Sequence, residues 1–231
     1  MPQSDKSLSK LRALESVAPD TITALERLVR WHEYLRDQQI IGHQDESSDV
    51  FFIVSGSVRV TVYSPAGKEV TFRDMAAGEM FGELAAIDGK PRSAGVVALS
   101  NCTIASLTAQ QFGRVLHEHP DFAVVTLKRL AETVRSLSER VFEVSALSVR
   151  NRIHAELLRL ARSNMLNENR AAISPAPTHS AIASRISTHR EAVTRELSKL
   201  SKSGLIERQG NKIVVNDVHR LSRLVEDVLG I

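Results

Sequence analysis

The 231-residue sequence contains almost no cysteine, and this scarcity excludes several classes of protein. Its single cysteine, Cys102, rules out an intrachain disulfide, a cysteine-rich zinc site and an iron–sulfur cluster held by four cysteines of one chain. No segment approaches the ~18 uninterrupted apolar residues of a membrane-spanning helix. Residues 1–10 are polar where a signal peptide requires an apolar stretch. We therefore expect a cytoplasmic protein with no membrane partner.

A strong excess of charge of either sign is also missing, because the net charge of the whole chain is only +3. The charges are nevertheless unevenly distributed. Residues 150–231 carry 14 Lys and Arg against 8 Asp and Glu, whereas residues 1–149 carry 16 against 19. This asymmetry predicts that the C-terminal third binds a polyanion. The length suits two domains of ~100 residues each or slightly more.

What the sequence does contain is a succession of hydrophobic patterns. Between residues 19 and 38, apolar residues recur at helical spacing, which predicts an N-terminal helix. They are Ile22, Leu25, Leu28, Val29 and Trp31. From Val50 to about Leu107, apolar and polar residues alternate between turn signals, which predicts a small β-barrel or sandwich. The alternating apolar residues are Val58, Val60 and Val62, followed by Val70 and Phe72. The turn signals are Ser55-Gly56 and Ser64-Pro65-Ala66-Gly67.

A heptad pattern follows between Pro120 and Arg150. Its apolar residues are separated by alternating steps of three and four, a seam that is typical of a helix paired with a second copy of itself. The alternative is a helix that lies across its own barrel. The seam residues are Leu127, Leu130, Val134, Leu137, Val141 and Val144.

The segment from Thr178 to Asn216 has the pattern of a winged helix-turn-helix. A short helix reaches Ile186, and Thr188 is expected to open a second helix through a capping box with Glu191. Gln209-Gly210-Asn211 then predicts a tight hairpin between two strands. Such a second helix enters the major groove of DNA, and basic residues around it face phosphates. The candidate DNA contacts are Thr188, His189, Arg190, Glu191, Thr194, Arg195, Lys199 and Lys202, with Arg208 and Lys212 extending the basic surface.

The stretch FGELAAIDGKPRSA, residues 81–94, combines Glu83 and Arg92 with glycines in an otherwise small and apolar run. One explanation is a simple ion pair that closes a loop. Taken with the heptad helix and STHREAVTREL, however, this stretch resembles the phosphate-binding cassette of the cyclic-AMP receptor protein/FNR family of bacterial transcription regulators. The resemblance covers nearly the whole chain in the same order.

The family resemblance implies an α+β fold in three parts. These are a jelly-roll-like cyclic-nucleotide-binding β-barrel over residues 1–118, a dimerisation helix and hinge over 119–148, and a winged helix-turn-helix over 149–231. It implies a homodimeric regulator that binds double-stranded DNA and RNA polymerase and that is controlled allosterically by its ligand. It implies neither an enzyme nor a metal site.

The same resemblance assigns roles to the cassette residues. Arg92 would pair with the nucleotide phosphate, Ser93 would add a hydrogen bond, and Glu83 would accept from the ribose 2′-hydroxyl. Gly82 would admit close backbone approach, and Leu84 completes the set. On the dimerisation helix, Leu137-Ser138 stand where the cyclic-AMP receptor protein has a Thr-Ser pair that reaches adenine. Because the threonine is absent and only Ser138 remains, cyclic AMP is the first choice of ligand and cyclic GMP is a serious competitor.

Two alternatives to a nucleotide sensor are a family member that senses another signal, through a haem and a gas or independently of any ligand, and an enzyme. His43, His117 or His119 offer ligands for a haem, although His117 and His119 do not share a helix face. An enzyme acting on a cyclic nucleotide would need a nucleophile motif or paired carboxylates, which the sequence lacks.

For the operator, the resemblance aligns Arg190, Glu191 and Arg195 with the residues that read TGTGA. The FNR branch, which prefers TTGAT, has no arginine at the first of these positions. The sequence therefore predicts a palindrome close to TGTGA-N6-TCACA.

Overall fold

The structure is a computed structural model that describes residues 6–63 and 69–229. The chain divides into two compact units, Met1–Val134 and Arg135–Ile231. The division falls inside one long helix, so each unit contains part of it. The domain limits at residues 118 and 148 stay a prediction.

The N-terminal unit is built mainly of antiparallel strands. Its described strands are β1 (Arg30–Tyr34), β2 (Gln39–Ile41), β3 (Val50–Ser55), β4 (Ser57–Tyr63), β5 (Glu69–Ala76), β6 (Met80–Phe81), β7 (Gly95–Ala98) and β8 (Cys102–Leu107). Its described α-helices are α1 (Pro19–Glu26), α2 (Glu83–Asp88), α3 (Ala109–Glu118) and the first half of α4 (Pro120–Ala146), and a short 3-10 helix covers Arg12–Leu14.

These strands form two four-stranded sheets, with orders β1-β8-β3-β6 and β2-β7-β4-β5. Phe51, Ile53 and Ile104 belong to the cluster between the two sheets. Phe52 lies on the other side of β3 and packs with Phe112 of α3 and Phe122 of α4. Two antiparallel sheets around one interior make the jelly-roll-like barrel that the alternating pattern predicts. The α+β fold with an N-terminal barrel, a long helix and a C-terminal helix-turn-helix is thereby confirmed.

The helix expected over residues 19–38 is wrong in its second half. Helix α1 ends at Glu26, and the chain then enters β1, which pairs with β8 from Arg30↔Ser106 to Tyr34↔Cys102. Local apolar spacing cannot reveal a partner strand some seventy residues away, and the sheet pairing overrides the helical pattern.

The predicted alternation in β4 and β5 is interrupted by a bulge. The register between the two strands shifts between Val60 and Thr61. As a result Thr61 and Thr71 are buried, while Phe72 is 37% exposed. The strands are therefore confirmed, but Phe72 lies on the outer face. The predicted turn at 64–67 lies outside the described residues.

The C-terminal unit contains the remainder of α4 and a helical domain with a small sheet. Its other described elements are α5 (Val149–Arg162), β9 (Ala171–Ile173), α6 (His179–Arg185), α7 (Arg190–Lys202), β10 (Ile206–Gln209), β11 (Lys212–Val215) and α8 (Val218–Leu229). The sheet has the order β10-β11-β9, and Gly210 adopts a φ of +58° in the two-residue hairpin turn. The predicted helix, turn, helix and wing are all present.

The predicted capping box at the start of the second helix is wrong. Helix α7 begins at Arg190 with His189 as its N-cap, and no side chain caps it. Ser187 takes a left-handed turn with a φ of +54°, and the backbone N–H of Thr188 donates to the Ala183 carbonyl at 3.0 Å. Because this turn places Thr188 in the interior, the N-cap is His189 and the helix starts one residue later than its T-x-x-E pattern indicates.

Candidate ligand cassette and nucleic-acid interface

The cassette joins the two sheets of the N-terminal unit. Strand β6 ends at Phe81, Gly82 caps α2, and the chain returns through residues 89–94 into β7. Gly82 has a φ of +87°, and a Cβ there would lie 2.8 Å from the Asp49 carbonyl oxygen and 2.9 Å from Arg92 Nη1. Glycine is thus required both by the backbone angle and by the close packing of the arginine.

Arg92 is the central side chain of this cassette and is only 2% exposed. Its Nε donates to Ser47 Oγ at 3.0 Å, Nη1 donates to the Gly82 carbonyl at 2.8 Å, and Nη2 donates to the Asp49 carbonyl at 2.8 Å. The guanidinium also lies 5.7 Å from the centre of the Phe51 ring. The guanidinium group has five N–H groups, and three of them therefore donate to uncharged oxygen atoms.

No described carboxylate lies within ion-pair distance of Arg92, so a simple Glu83–Arg92 ion pair does not explain the cassette. Burial lowers the pKa of the Arg92 guanidinium, and the more distant Asp49, Asp45 and Glu83 only partly oppose that effect. A buried cation whose direct partners are all neutral is costly, and a bound anion would stabilise it.

The other predicted ligand residues surround this arginine at different depths. Glu83 is half-buried at the first position of α2, whereas the side chains of Leu84 and Ser93 are exposed. Gly82, Glu83, Leu84, Arg92 and Ser93 thus lie on one continuous cassette. Ser138 belongs to the C-terminal unit, where it is exposed on α4.

Sequence reasoning missed the residues that hold the cassette in place. Ser47 and Asp49 come from the loop before β3 and receive two of the three Arg92 hydrogen bonds. Arg129 on α4 donates through Nη2 to the Met80 carbonyl, directly before the cassette, and lies 3.9 Å from a carboxylate oxygen of Glu79. Polar residues in loops and on an amphipathic helix give no signal of such contacts in a single sequence.

The predicted seam of α4 is exposed in the single chain. Leu127 and Val141 are 64% and 66% exposed, and Val134, Leu137 and Val144 are exposed as well. Leu130 is half-buried. Large apolar side chains in an uninterrupted row on a 27-residue helix indicate a surface that another chain covers.

The predicted DNA-contacting residues lie on α7 or in the two positions before it, and they are exposed with one exception. His189, Arg190, Glu191, Thr194, Arg195, Lys199 and Lys202 are exposed, while Thr188 is buried. On the opposite face of α7, Val193, Leu197 and Leu200 pack into the core of the unit. This division gives the helix one apolar face and one polar face that is open to a partner.

Two buried carboxylates hold the helix-turn-helix in place, and sequence reasoning missed both. Glu196 on α7 accepts from His154 at 2.9 Å and lies 3.4 Å from Arg150 and 3.6 Å from Lys199. Burial lowers the pKa of His154, although the hydrogen bond and charge of Glu196 oppose that shift.

Glu156 is the second of these carboxylates. It accepts from Arg185 of α6 at 3.0 Å and from Arg159, whose other terminal nitrogen lies 2.6 Å from Glu143 on α4. A chain of charges thus links the long helix, α5 and the first helix of the motif.

The three histidines that are candidate haem ligands lie in different environments. His43 and His117 are exposed, and Nδ1 of His119 is hydrogen-bonded to Thr21 Oγ1 at 3.0 Å. Across residues 6–63 and 69–229, no three His, Cys, Asp or Glu side chains are grouped as a metal site. In the same residues, no helix is both long and apolar enough to cross a membrane.

Comparison with known proteins bears on both units. A family model of the cyclic nucleotide-binding domain matches residues 31–119, and a model of the Crp-like helix-turn-helix domain matches residues 151–224. The chain is 24% identical over 220 residues to the CRP-like cAMP-activated global transcriptional regulator of Mycobacterium tuberculosis, covering 95% of this chain and 98% of that protein. It is 29% identical over 185 residues to the cAMP-activated global transcriptional regulator CRP of Salmonella typhimurium, covering 80% and 88%.

The fold has solved counterparts as well. A CooA mutant from Carboxydothermus hydrogenoformans matches with a TM-score of 0.79 at 22% identity, covering 96% of each chain. Together, the barrel with its cassette and the Crp-like helix-turn-helix define a transcription regulator that joins a cyclic-nucleotide-binding domain to a DNA-binding domain. The chain belongs to the CRP/FNR family.

Proposed function

We propose that the protein is a homodimeric, non-enzymatic transcription regulator that is controlled by a cyclic purine nucleotide, with cyclic AMP as the first candidate. The observation that carries this proposal is the buried Arg92 cation, which has neutral oxygens as its direct partners. Arg92 has two N–H groups beyond the three that these oxygens accept, one on each terminal nitrogen. A phosphate with one negative charge matches that pair of donors.

The remaining cassette residues suit the rest of a nucleotide. Glu83 forms no ion pair with Arg92, so its carboxylate can accept a hydrogen bond from a ribose 2′-hydroxyl. The exposed side chain of Ser93 adds a donor beside the arginine. These roles follow the family pattern residue by residue.

Cyclic AMP is preferred to cyclic GMP because several similar proteins are described as cAMP-activated regulators. Leu137 has no hydrogen-bonding group for a base edge, so Ser138 is the candidate on α4. A hydroxyl both donates and accepts, and this keeps cyclic GMP as the competitor.

The exposed α4 seam supports the homodimer. Two copies would bury the apolar row from Leu127 to Val144 against each other in heptad packing. A two-fold dimer then presents two α7 helices to successive major grooves about one helical turn apart. We therefore propose an operator close to TGTGA-N6-TCACA, with residues 145–150 as the hinge whose arrangement the ligand biases. RNA polymerase is the proposed partner at the promoter.

Calorimetric titration of the purified protein with cyclic AMP and cyclic GMP, with and without a duplex of this sequence, tests the proposal. We expect binding of cyclic AMP that is tighter than binding of cyclic GMP, and tighter binding of the duplex when nucleotide is present. Absence of heat with either nucleotide at millimolar concentration would refute the ligand assignment. Because Arg92 also holds residues 47–49, its variants need a parallel measurement of thermal unfolding.

A further inference from the structure

A histidine outside the predicted set of DNA contacts lies against the DNA-facing side of α7. His179 begins α6, and its Nδ1 lies 2.7 Å from Thr194 Oγ1. This contact joins the two helices of the motif at their exposed surface. His179 is half-buried and Thr194 is exposed.

The hydrogen-bond inventory fixes the direction of this contact. The hydroxyl of Thr194 donates its only hydrogen to the Arg190 carbonyl at 3.0 Å. It must therefore accept from His179, which places the imidazole hydrogen on Nδ1. Nε2 of the neutral ring is then a bare acceptor, and Thr194 has no hydrogen to offer a base edge.

The surroundings of His179 are strongly cationic. Arg190 of α7 and Arg208 of β10 are the charged groups that face the ring, and both are exposed. No described carboxylate forms an ion pair with His179, Arg190 or Arg208, and the exposed Glu191 on the first turn of α7 is no exception. Burial, Arg208 and Arg190 together lower the pKa of His179, which favours the neutral ring in the free protein.

Three basic side chains from α6, α7 and the wing thus lie close enough to interact, and none of them is paired with a carboxylate of the described residues. Resting on the proposed DNA binding, we propose that His179 takes up a proton when the protein binds duplex DNA. Its Nε2–H then donates to a phosphate oxygen between α6, α7 and the wing. The proton comes from solvent, and Thr194 keeps the ring oriented through Nδ1 in both states.

The sign of the resulting pH dependence follows from linkage. A phosphate raises the pKa of the bound histidine above its value in the free protein, so the complex holds more protons than its separated components. Affinity for DNA therefore rises as the pH falls from the pKa of the complex to that of the free protein. It gains at most about tenfold per pH unit, because one proton is involved. Above the pKa of the complex, the gain is lost.

The orientation of the ring is tested on the free protein, without DNA. Nitrogen-15 NMR of the histidine side chains at neutral pH should show His179 protonated at Nδ1. In Thr194→Val, which keeps the side-chain shape and removes the hydroxyl, this preference should disappear. An Nε2–H tautomer in the wild type would overturn the proposal whether or not the protein binds DNA.

Proton uptake is tested by fluorescence anisotropy and calorimetry with two labelled duplexes, TGTGA-N6-TCACA and a scrambled sequence. The buffers span about pH 5.5 to about pH 8 and differ in ionisation enthalpy, because histidine titrates in this range. The variants are His179→Gln, His189→Gln at the N-cap of α7, and His219→Gln on helix α8. If His179 contacts a phosphate rather than a base, DNA affinity should change with pH equally for the two duplexes.

We expect wild type and His219→Gln to take up close to one proton, and His179→Gln to lose most of that uptake. An unchanged slope in His179→Gln would overturn the inference, as would loss of the slope in His189→Gln alone. Failure of the wild type to bind either duplex at any pH would instead refute the proposed DNA-binding function. The two results are thus distinguishable.

Discussion

In the N-terminal unit, the Arg92 guanidinium is 2% exposed and donates to a serine hydroxyl and two backbone carbonyls. In the C-terminal unit, the Glu156 carboxylate is 1% exposed and has arginine partners on two helices. Both charges are buried, but only Glu156 is neutralised by the protein itself. The difference indicates where a ligand is needed: a compensated buried charge supports the fold, and an uncompensated one is suited to an external ion.

We expect the largest effect when the buried charge of Glu156, which the protein itself neutralises, is removed. In Glu156→Gln, Arg159 and Arg185 lose the carboxylate they share, and we expect the C-terminal unit to lose ~3–5 kcal/mol of its free energy of unfolding. Urea denaturation followed by circular dichroism measures this loss. The control is Glu168→Gln at an exposed position, for which we expect a change within ~0.5 kcal/mol. Equal effects in the two variants would contradict a structural role for Glu156.

The next largest effect concerns the α4 seam, where the exposed side chains are apolar rather than charged. Leu130→Glu or Val134→Glu would place like charges face to face across a dimer interface, so we expect dissociation and loss of specific DNA binding. Light scattering measures the mass. Lys128→Glu, an exposed change on the same helix outside the seam, serves as the control. An unchanged dimer mass in both seam variants would show that the chains associate elsewhere.

A smaller effect is expected at the ligand side of the cassette. Glu83→Gln keeps the side-chain shape but weakens its acceptance from a ribose hydroxyl, and hydrogen bonds to charged groups contribute ~1.5–3 kcal/mol. We therefore expect cyclic AMP to bind ~10- to ~100-fold more weakly, with thermal unfolding unchanged. Asp88→Asn at the exposed end of α2 should leave the affinity as it is. Calorimetry measures cyclic AMP binding to both variants and to the wild type. Equal affinities of Glu83→Gln and the wild type would exclude Glu83 from the ligand site.

The smallest effects are expected on the exposed face of α7. Arg190→Ala or Arg195→Ala should cost ~1–3 kcal/mol and relax preference at one base pair, because an arginine fork reads guanine. Lys202→Ala should weaken all duplexes alike and flatten the salt dependence. Selection from random duplexes provides the measurement. Enrichment of TTGAT, or of no two-fold motif, would disprove the assigned readout.

The sequence predicts best those parts of the molecule in which the signal is local. The turn and short helix after Gly82, the long helix α4 and the hairpin at Gly210 each fall within one segment, and the structure contains all three elements. The ligand and dimer roles given to the first two stay predictions. Strand β1 was missed because its identity depends on β8. The start of α7 was misplaced because the left-handed turn at Ser187 outweighs a favourable capping pattern.

Partners that meet only through the fold leave no trace in a single sequence. Nothing near Ser47 or Asp49 marks them as holding Arg92, and nothing near His154 marks Glu196 as its partner. These contacts join segments roughly forty residues apart, and each uses an ordinary polar residue or a backbone carbonyl. Only the packed chain distinguishes them from residues exposed to solvent.

We propose that the Arg92 cation, which has no carboxylate within ion-pair distance among the described residues, binds the phosphate of a cyclic nucleotide. The most direct test of this proposal is the preference for cyclic AMP over adenosine, which lacks the phosphate, in wild type and in Arg92→Gln. Glutamine keeps a neutral donor for the carbonyls of Gly82 and Asp49, and thermal unfolding verifies the fold. Because an unpaired buried charge costs ~3–5 kcal/mol, we expect the wild type to prefer cyclic AMP by ~100-fold or more. In the variant, we expect little preference, whereas an undiminished preference in folded Arg92→Gln would contradict the account.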